Sequence, residues 1–125
     1  MIHLIVDGAN VVGSRPDGWW HDRPGAARRL AEQLVSADLT GLTGAPLTVH
    51  LVLEGKAKRA LLPDAPGFHI VLAEADGDAT IAALTAELAA DPVLVVTADR
   101  ALRARVEAVG AGTTGPGSLL KLLGG

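Results

Sequence analysis

Ile2-His3-Leu4-Ile5-Val6-Asp7-Gly8-Ala9-Asn10 is a short apolar run that stops at an acid and a glycine. A continuous run of this length suits a strand buried on both faces, the usual state in a parallel sheet. The pattern returns at residues 47–53 (Leu-Thr-Val-His-Leu-Val-Leu), at residues 68–73 and at residues 93–96 (Val-Leu-Val-Val). Helical segments separate these runs. Residues 24–39 predict a helix with Pro24 in its first turn and Leu30, Leu34 and Val35 on one stripe. Residues 56–62 predict a short helix stopped by Pro63 and Pro66. Residues 79–90 present Ile81, Leu84 and Leu88 on one face, and residues 99–109 present Leu102, Val106 and Val109, with Gly110 beyond the end. A weak fifth strand near 111–114 and a short packing helix over 118–123 complete the chain. Strands alternating with helices imply an α/β domain with a mostly parallel sheet. No repeat or linker divides residues 1–125, so one domain is expected.

The composition narrows the chemistry. The 125 residues are 49% hydrophobic, enough for one core, and only three are aromatic, so that core is aliphatic. There is no cysteine, which excludes disulfides, thiolate metal sites and cysteine nucleophiles. The N-terminus lacks the basic start of a signal peptide, and no apolar run reaches the length of a membrane span. A cytoplasmic protein without a membrane partner is expected. The oligomeric state is left open, a homodimer included. The net charge of −3 gives no general attraction to nucleic acid, so the placement of charge matters more than its sum.

That placement is uneven. Asp7 follows the first strand, Glu74, Asp76 and Asp78 follow the third, and Asp99 follows the fourth. In a parallel sheet these ends share one edge, where ligands bind. Carboxylates gathered there repel, at least one pKa should rise, and a hard divalent cation is the usual remedy. Asn10 adds an amide able to orient a bound water or phosphate. Each acid also has a purely structural use. Asp7-Gly8 can form a turn, Asp78 or Thr97 can cap the helix that follows, and Asp99 can favour a helix N-terminus.

Ten of the eleven Lys and Arg residues fall in three groups after strand ends: Arg15, Arg23, Arg28 and Arg29; Lys56, Lys58 and Arg59; Arg100, Arg103 and Arg105. A basic rim around an acidic centre suits a polyanion handled with a cation's help. Arg103 and Arg105 also suit plain solvated helix faces. The loop Gly13–Arg23 carries Trp19, Trp20 and His21 among its arginines, a mixture suited to stacking on unpaired bases. One tryptophan is expected inward and the other exposed. His3 and His50 lie within strands and read as satisfied core or edge residues. No phosphate-binding loop of the GxxxxGK[ST] or GxGxxG type and no GxSxG elbow is present.

Three segments, Ile5-Val6-Asp7-Gly8-Ala9-Asn10, Glu74-Ala75-Asp76-Gly77-Asp78-Ala79-Thr80-Ile81 and Val95-Val96-Thr97-Ala98-Asp99-Arg100, together resemble the NYN branch of the PIN-like nuclease superfamily. The long loop with its Trp-Trp pair resembles that of small bacterial NYN proteins. The resemblance spans nearly the whole chain. It implies a three-layer α/β/α sandwich with strand order 3-2-1-4-5, in which Asp7 and Asp99 meet. It implies metal-dependent hydrolysis of RNA, with Asp7, Asp78 and Asp99 holding Mg²⁺ or Mn²⁺ and Asn10 orienting the site. Family members often carry two adjacent acids in the middle block. Here Ala79 follows Asp78, and Asp76 is the available substitute. RNA contacts are expected from Arg15, Trp19, Trp20, His21, Arg23, Lys58 and Arg100. Two other functions fit the pattern: a non-catalytic RNA-binding module, and a metal-dependent phosphatase or receiver-like regulatory domain. The receiver reading is weakened because no lone strand-end Asp pairs with a later strand-end Lys.

Overall fold

A computed structural model describes residues 1–124 and places five strands and five helices among them. In chain order they are β1 (Ile2–Asp7), α1 (Gly8–Gly13), α2 (Arg23–Ser36), β2 (Leu47–Leu53), β3 (Phe68–Leu72), α3 (Gly77–Glu87), β4 (Val93–Val96), α4 (Arg100–Glu107), β5 (Gly112–Thr114) and α5 (Pro116–Leu122). All strand pairings are parallel, and the order is β3-β2-β1-β4-β5. β1 lies at the centre, with Ile5 opposite His50 on one side and Val95 on the other.

Alternation across the pleat builds two cores. Leu4 and Val6 turn to one face, where Val11, Ala27, Leu30 and Leu119 cover them. Ile5, Val52 and Val95 turn to the other, against Ile81, Leu102 and Val106. Helices α1, α2 and α5 therefore form one outer layer, and α3 and α4 form the other. Leu4, Ile5 and Val6 have no exposed surface, and each such aliphatic side chain contributes roughly 1.5–3 kcal/mol on burial. β2 and β4 flank β1 and are reached by connections on opposite faces, so the carboxyl end of β1 is a switch point of the sheet.

The structure departs from the sequence expectations in several places. Asp7-Gly8-Ala9-Asn10 is not a turn but the start of α1, which follows β1 without a loop. Gly8 serves close approach here: a Cβ on it would meet the Val52 carbonyl oxygen at 2.6 Å and a Leu53 methyl at 2.9 Å. The segment after β2 is a 3-10 turn over Gly55–Arg59, shorter than the helix expected over 56–62. α2 ends at Ser36, because Ala37 adopts an extended backbone. Val35 and Val109, expected inward, are 39% and 46% exposed. Val35 lies outside the stripe made by Leu30, Ala31 and Leu34, and Val109 follows the end of α4.

Candidate functional site

The carboxyl edge of the sheet is built around Asp7. It is 5% exposed, and both its oxygens are used. Oδ1 accepts the Asn10 N–H at 3.3 Å and so caps α1. Oδ2 accepts the Thr97 hydroxyl at 2.9 Å across the β1–β4 junction. Asn10 reaches the same junction, its Oδ1 accepting the Ala98 N–H at 2.9 Å. Asp99 caps α4 through Oδ1 and the Leu102 N–H at 3.0 Å, while its own N–H donates to the Thr97 hydroxyl oxygen at 3.2 Å. Thr97 is thus not the helix cap that the sequence suggests. It is fully buried and ties Asp7 to Asp99.

The middle acidic block divides its roles. Asp76, not Asp78, caps α3, accepting the Ala79 N–H at 3.0 Å. Asp78 stands free in the first turn of α3, half-buried. Its carboxyl is pushed above the usual range, first by burial and then by Asp99, Asp76 and Glu54, against a smaller pull from Arg105. Asp7 is raised as well. Burial is the main cause, with Asp78 and Glu54 adding to it, and the bonds from Thr97 and Asn10 oppose it. Asp78 therefore lies within electrostatic reach of both Asp7 and Asp99.

Glu54 is the acid that the sequence reading missed. It directly follows β2, beside β1, and a Cβ on Gly77 would stand 3.2 Å from its Oε1. The signal was present: an acid at the end of an apolar run, as at Asp7. Glu74, by contrast, is exposed.

The ion pairs among the described residues are His3–Asp91, Arg28–Glu32 and Arg29–Asp17, and none neutralises this edge. The donor set is entirely oxygen, which suits a hard cation. Among the described residues, however, no three acidic or imidazole groups converge tightly enough to enclose an ion. A cation at this edge would therefore have to be held by one or two carboxylates with water completing its shell, which is the habit of Mg²⁺. Asp76 and Asp99 each commit one oxygen to a cap, whereas both oxygens of Asp7 are engaged within the fold.

The basic and aromatic residues are less uniform than a rim. Trp19 is half-buried on the α1–α2 core, with the Arg23 guanidinium 5.2 Å from its ring centroid. Trp20 is 56% exposed and meets Trp19 edge-on at 5.8 Å, and exposed His21 lies 5.4 Å from Trp20. The expected split between an inward and an exposed indole is what the structure has. Arg15 is half-buried and bonds Gln33, and Lys58 donates to the Ala73 carbonyl at 2.8 Å. Arg103, expected as a solvated residue, instead donates Nε to the Thr97 carbonyl at 2.8 Å. Arg100 is exposed at the start of α4.

No protein-family model matches the sequence, and no curated protein matches it. In structure the chain is similar to a crystal structure of Rae1 (YacP) from Bacillus subtilis, with a TM-score of 0.75, 20% identity, and coverage of 99% of this chain and 74% of that one. It is similar as well to a tryptophan-to-leucine mutant of that protein, with a TM-score of 0.70, 20% identity, and coverage of 98% and 74%. At this identity the likeness shows the fold: the chain is an α/β domain built like that protein across nearly all of its own length.

Proposed function

We propose that the chain is a ribonuclease that hydrolyses RNA phosphodiester bonds at the edge formed by Asp7, Asp78 and Asp99, with Mg²⁺ or Mn²⁺ as cofactor. The observation that carries this reading is a set of mutually repelling carboxylates with no ion-pair partner among the described residues, at the switch point between β1 and β4. Uncompensated acids at the centre of a site repel a phosphate backbone unless a cation intervenes. A hydrolase that works with a divalent cation meets that condition.

In hydrolysis a water oxygen forms a bond to phosphorus, the bond from phosphorus to one ribose oxygen breaks, and the leaving oxygen takes the proton that water gives up. When bound, the cation supplies positive charge against the phosphate oxygens and a favourable environment for water to lose that proton. The protein supplies position. Thr97 and Asn10 hold Asp7 in one orientation, and Asp99 is fixed by capping α4. Asp78 has no side-chain partner among the described residues and completes the set. The start of α4 adds backbone donors beside the place where a phosphate would lie.

A second reading has its own support. Asp76 and Asp99 serve as caps, and no three-ligand cluster is formed. That suits a non-catalytic RNA-binding module on the same fold. Incubating end-labelled single-stranded RNA with Mn²⁺, Mg²⁺ or EDTA separates the two. Cation-dependent cleavage that is lost in Asp78→Asn supports the hydrolase. Binding without cleavage at any cation concentration rejects it in favour of the module. Among the described residues no helix is long and apolar enough to cross a membrane.

A further inference from the structure

Beside the acidic edge lies a cleft of about 320 Å³, whose walls include Val12, Trp19, Leu53 and Ala57 and whose polar groups are Arg23 and Glu54. We propose that this cleft receives one unstacked base of a single-stranded RNA, with guanine preferred, and that Glu54 reads it. The inference rests on the reading of the chain as an RNA-acting domain.

The walls suit a flat aromatic guest. Leu53 is 1% exposed and Val12 9%, so the floor is firm aliphatic surface. Trp19 meets Trp20 at 87°, and the Arg23 guanidinium lies over its ring at 5.2 Å, so an indole and a guanidinium plane stand together at the cleft. Sequence-selective recognition of single-stranded RNA places splayed bases against aromatic or guanidinium planes and hydrogen-bonds their Watson–Crick edges. The cleft has both kinds of plane.

Glu54 supplies the discrimination. Its side chain has no hydrogen-bond or ion-pair partner among the described residues, and Gly77 leaves room for its Oε1. An ionised carboxylate only accepts, through two oxygens. Guanine presents two adjacent donors on its Watson–Crick edge, N1–H and the exocyclic amino group. Adenine and cytosine each place a ring acceptor beside their single amino donor, and uracil flanks one N–H with two carbonyls. Only guanine can satisfy both oxygens of Glu54 without facing an acceptor toward them. The placement also joins the two sites, because Gly8 and Glu54 border the cleft and stand at the ends of β1 and β2. A base in the cleft sets its own phosphate beside Asp7, and Arg23 offsets that negative charge.

The test is binding without cleavage. In a Trp20→Phe protein Trp19 is the single indole, and its fluorescence is titrated in EDTA with the pentaribonucleotides UUGUU, UUAUU, UUCUU and UUUUU. The expected result is Trp19 quenching with UUGUU bound roughly tenfold more tightly than the others, the scale of one good bidentate base contact. Glu54→Gln should reduce that preference to near unity while UUUUU binding persists. Ala57→Phe, which fills the cleft and leaves both polar groups, should bring UUGUU down to the level of UUUUU. Circular dichroism confirms that each variant is folded. Equal binding of all four pentamers, or a guanine preference that survives in folded Glu54→Gln or Ala57→Phe, overturns the base site and leaves the RNA reading standing. Failure of every pentamer to bind overturns the RNA reading, and this proposal falls with it.

Discussion

The Thr97 hydroxyl donates to Asp7 Oδ2 at 2.9 Å, joining the ends of β4 and β1 although 90 positions separate the two residues. The Thr97 hydroxyl oxygen in turn accepts the Asp99 N–H, so one buried hydroxyl fixes two of the three acids proposed for the site. Thr97→Val keeps the shape and removes both bonds, leaving an Asp7 oxygen buried without its partner. The expected cost is about 1–3 kcal/mol. Thr97→Ser should recover most of it. Urea unfolding of the three proteins decides the matter, and equal midpoints for Val and Ser would show that the hydroxyl does no structural work.

Asp78 offers the opposite sign. Its raised pKa means that the fold disfavours the ionised form, so at neutral pH the charge lowers stability. Its place in the first turn of α3 works the other way, since negative charge there is favourable by about 0.3–1 kcal/mol. The net shift is upward, so repulsion and burial win. Asp78→Asn should therefore raise the melting temperature of the cation-free protein by a small amount, on the order of a few tenths of a kcal/mol. It should also shrink the further rise that Mn²⁺ gives the wild type, because a ligand that binds only the folded state stabilises it by mass action. Mn²⁺ shifts of equal size in both proteins would remove Asp78 from the cation site.

Much of this arrangement was legible in the sequence, and the reasons for the rest are physical. Buried strands are short and continuously apolar, so β1, β2 and β4 announced themselves and carried Asp7 and Asp99 to one edge. Glu54 obeyed the same rule and was overlooked. Helix α1 could not be read. Its six residues begin and end with glycine and carry no amphipathic period, and it exists because Asp7 caps it and Val11 and Val12 are buried beneath it. The role of Thr97 was hidden for a different reason. Local spacing makes it a helix cap, and only the pairing of β1 with β4 brings it to Asp7. Asp76 and Asp78 are both near a helix start, and backbone geometry alone decides which of them caps.

At the opposite end of the sheet, His3 bonds Asp91 through Nε2 at 3.1 Å and His50 Nε2 through Nδ1 at 2.9 Å, and His69 stacks on His50 at 5.2 Å. An ionised Asp91 only accepts, so His3 Nε2 is the donor of the bond between them. Burial, then the neighbouring His3 and His69, lowers the His50 pKa from 6.5 to about 4. Between those values the unfolded chain binds a proton that the folded chain does not. Stability from this group is complete above about pH 6.5, falls as the pH drops toward about 4, and falls no further below that. The loss should be on the order of 2 kcal/mol after solvent screening. His50→Leu should flatten the fall. Urea unfolding at pH 7, 5.5 and 4.5 measures it, and parallel curves for the two proteins would contradict the assignment.

The basic residues differ in what they are free to do, and salt should expose the difference. Lys58 already donates to the Ala73 carbonyl, tying the turn after β2 to the end of β3. Arg15 is engaged with Gln33, and burial lowers its pKa. Arg100 is exposed at the start of α4, next to Asp99, and makes no side-chain bond or ion pair among the described residues. A cation that is already a structural donor must give up that bond to meet a phosphate, whereas a free guanidinium loses only water. Arg100→Ala should therefore lower the slope of log affinity against log salt by about 0.7, the value for one phosphate contact on a single strand. Lys58→Ala should leave that slope nearly unchanged and instead reduce stability by about 1 kcal/mol, the usual net worth of such a bond. Fluorescence anisotropy with a labelled single-stranded RNA at several salt concentrations, with EDTA present, gives both slopes. A larger change in slope for Lys58→Ala than for Arg100→Ala would place the RNA over the turn after β2 rather than across the start of α4.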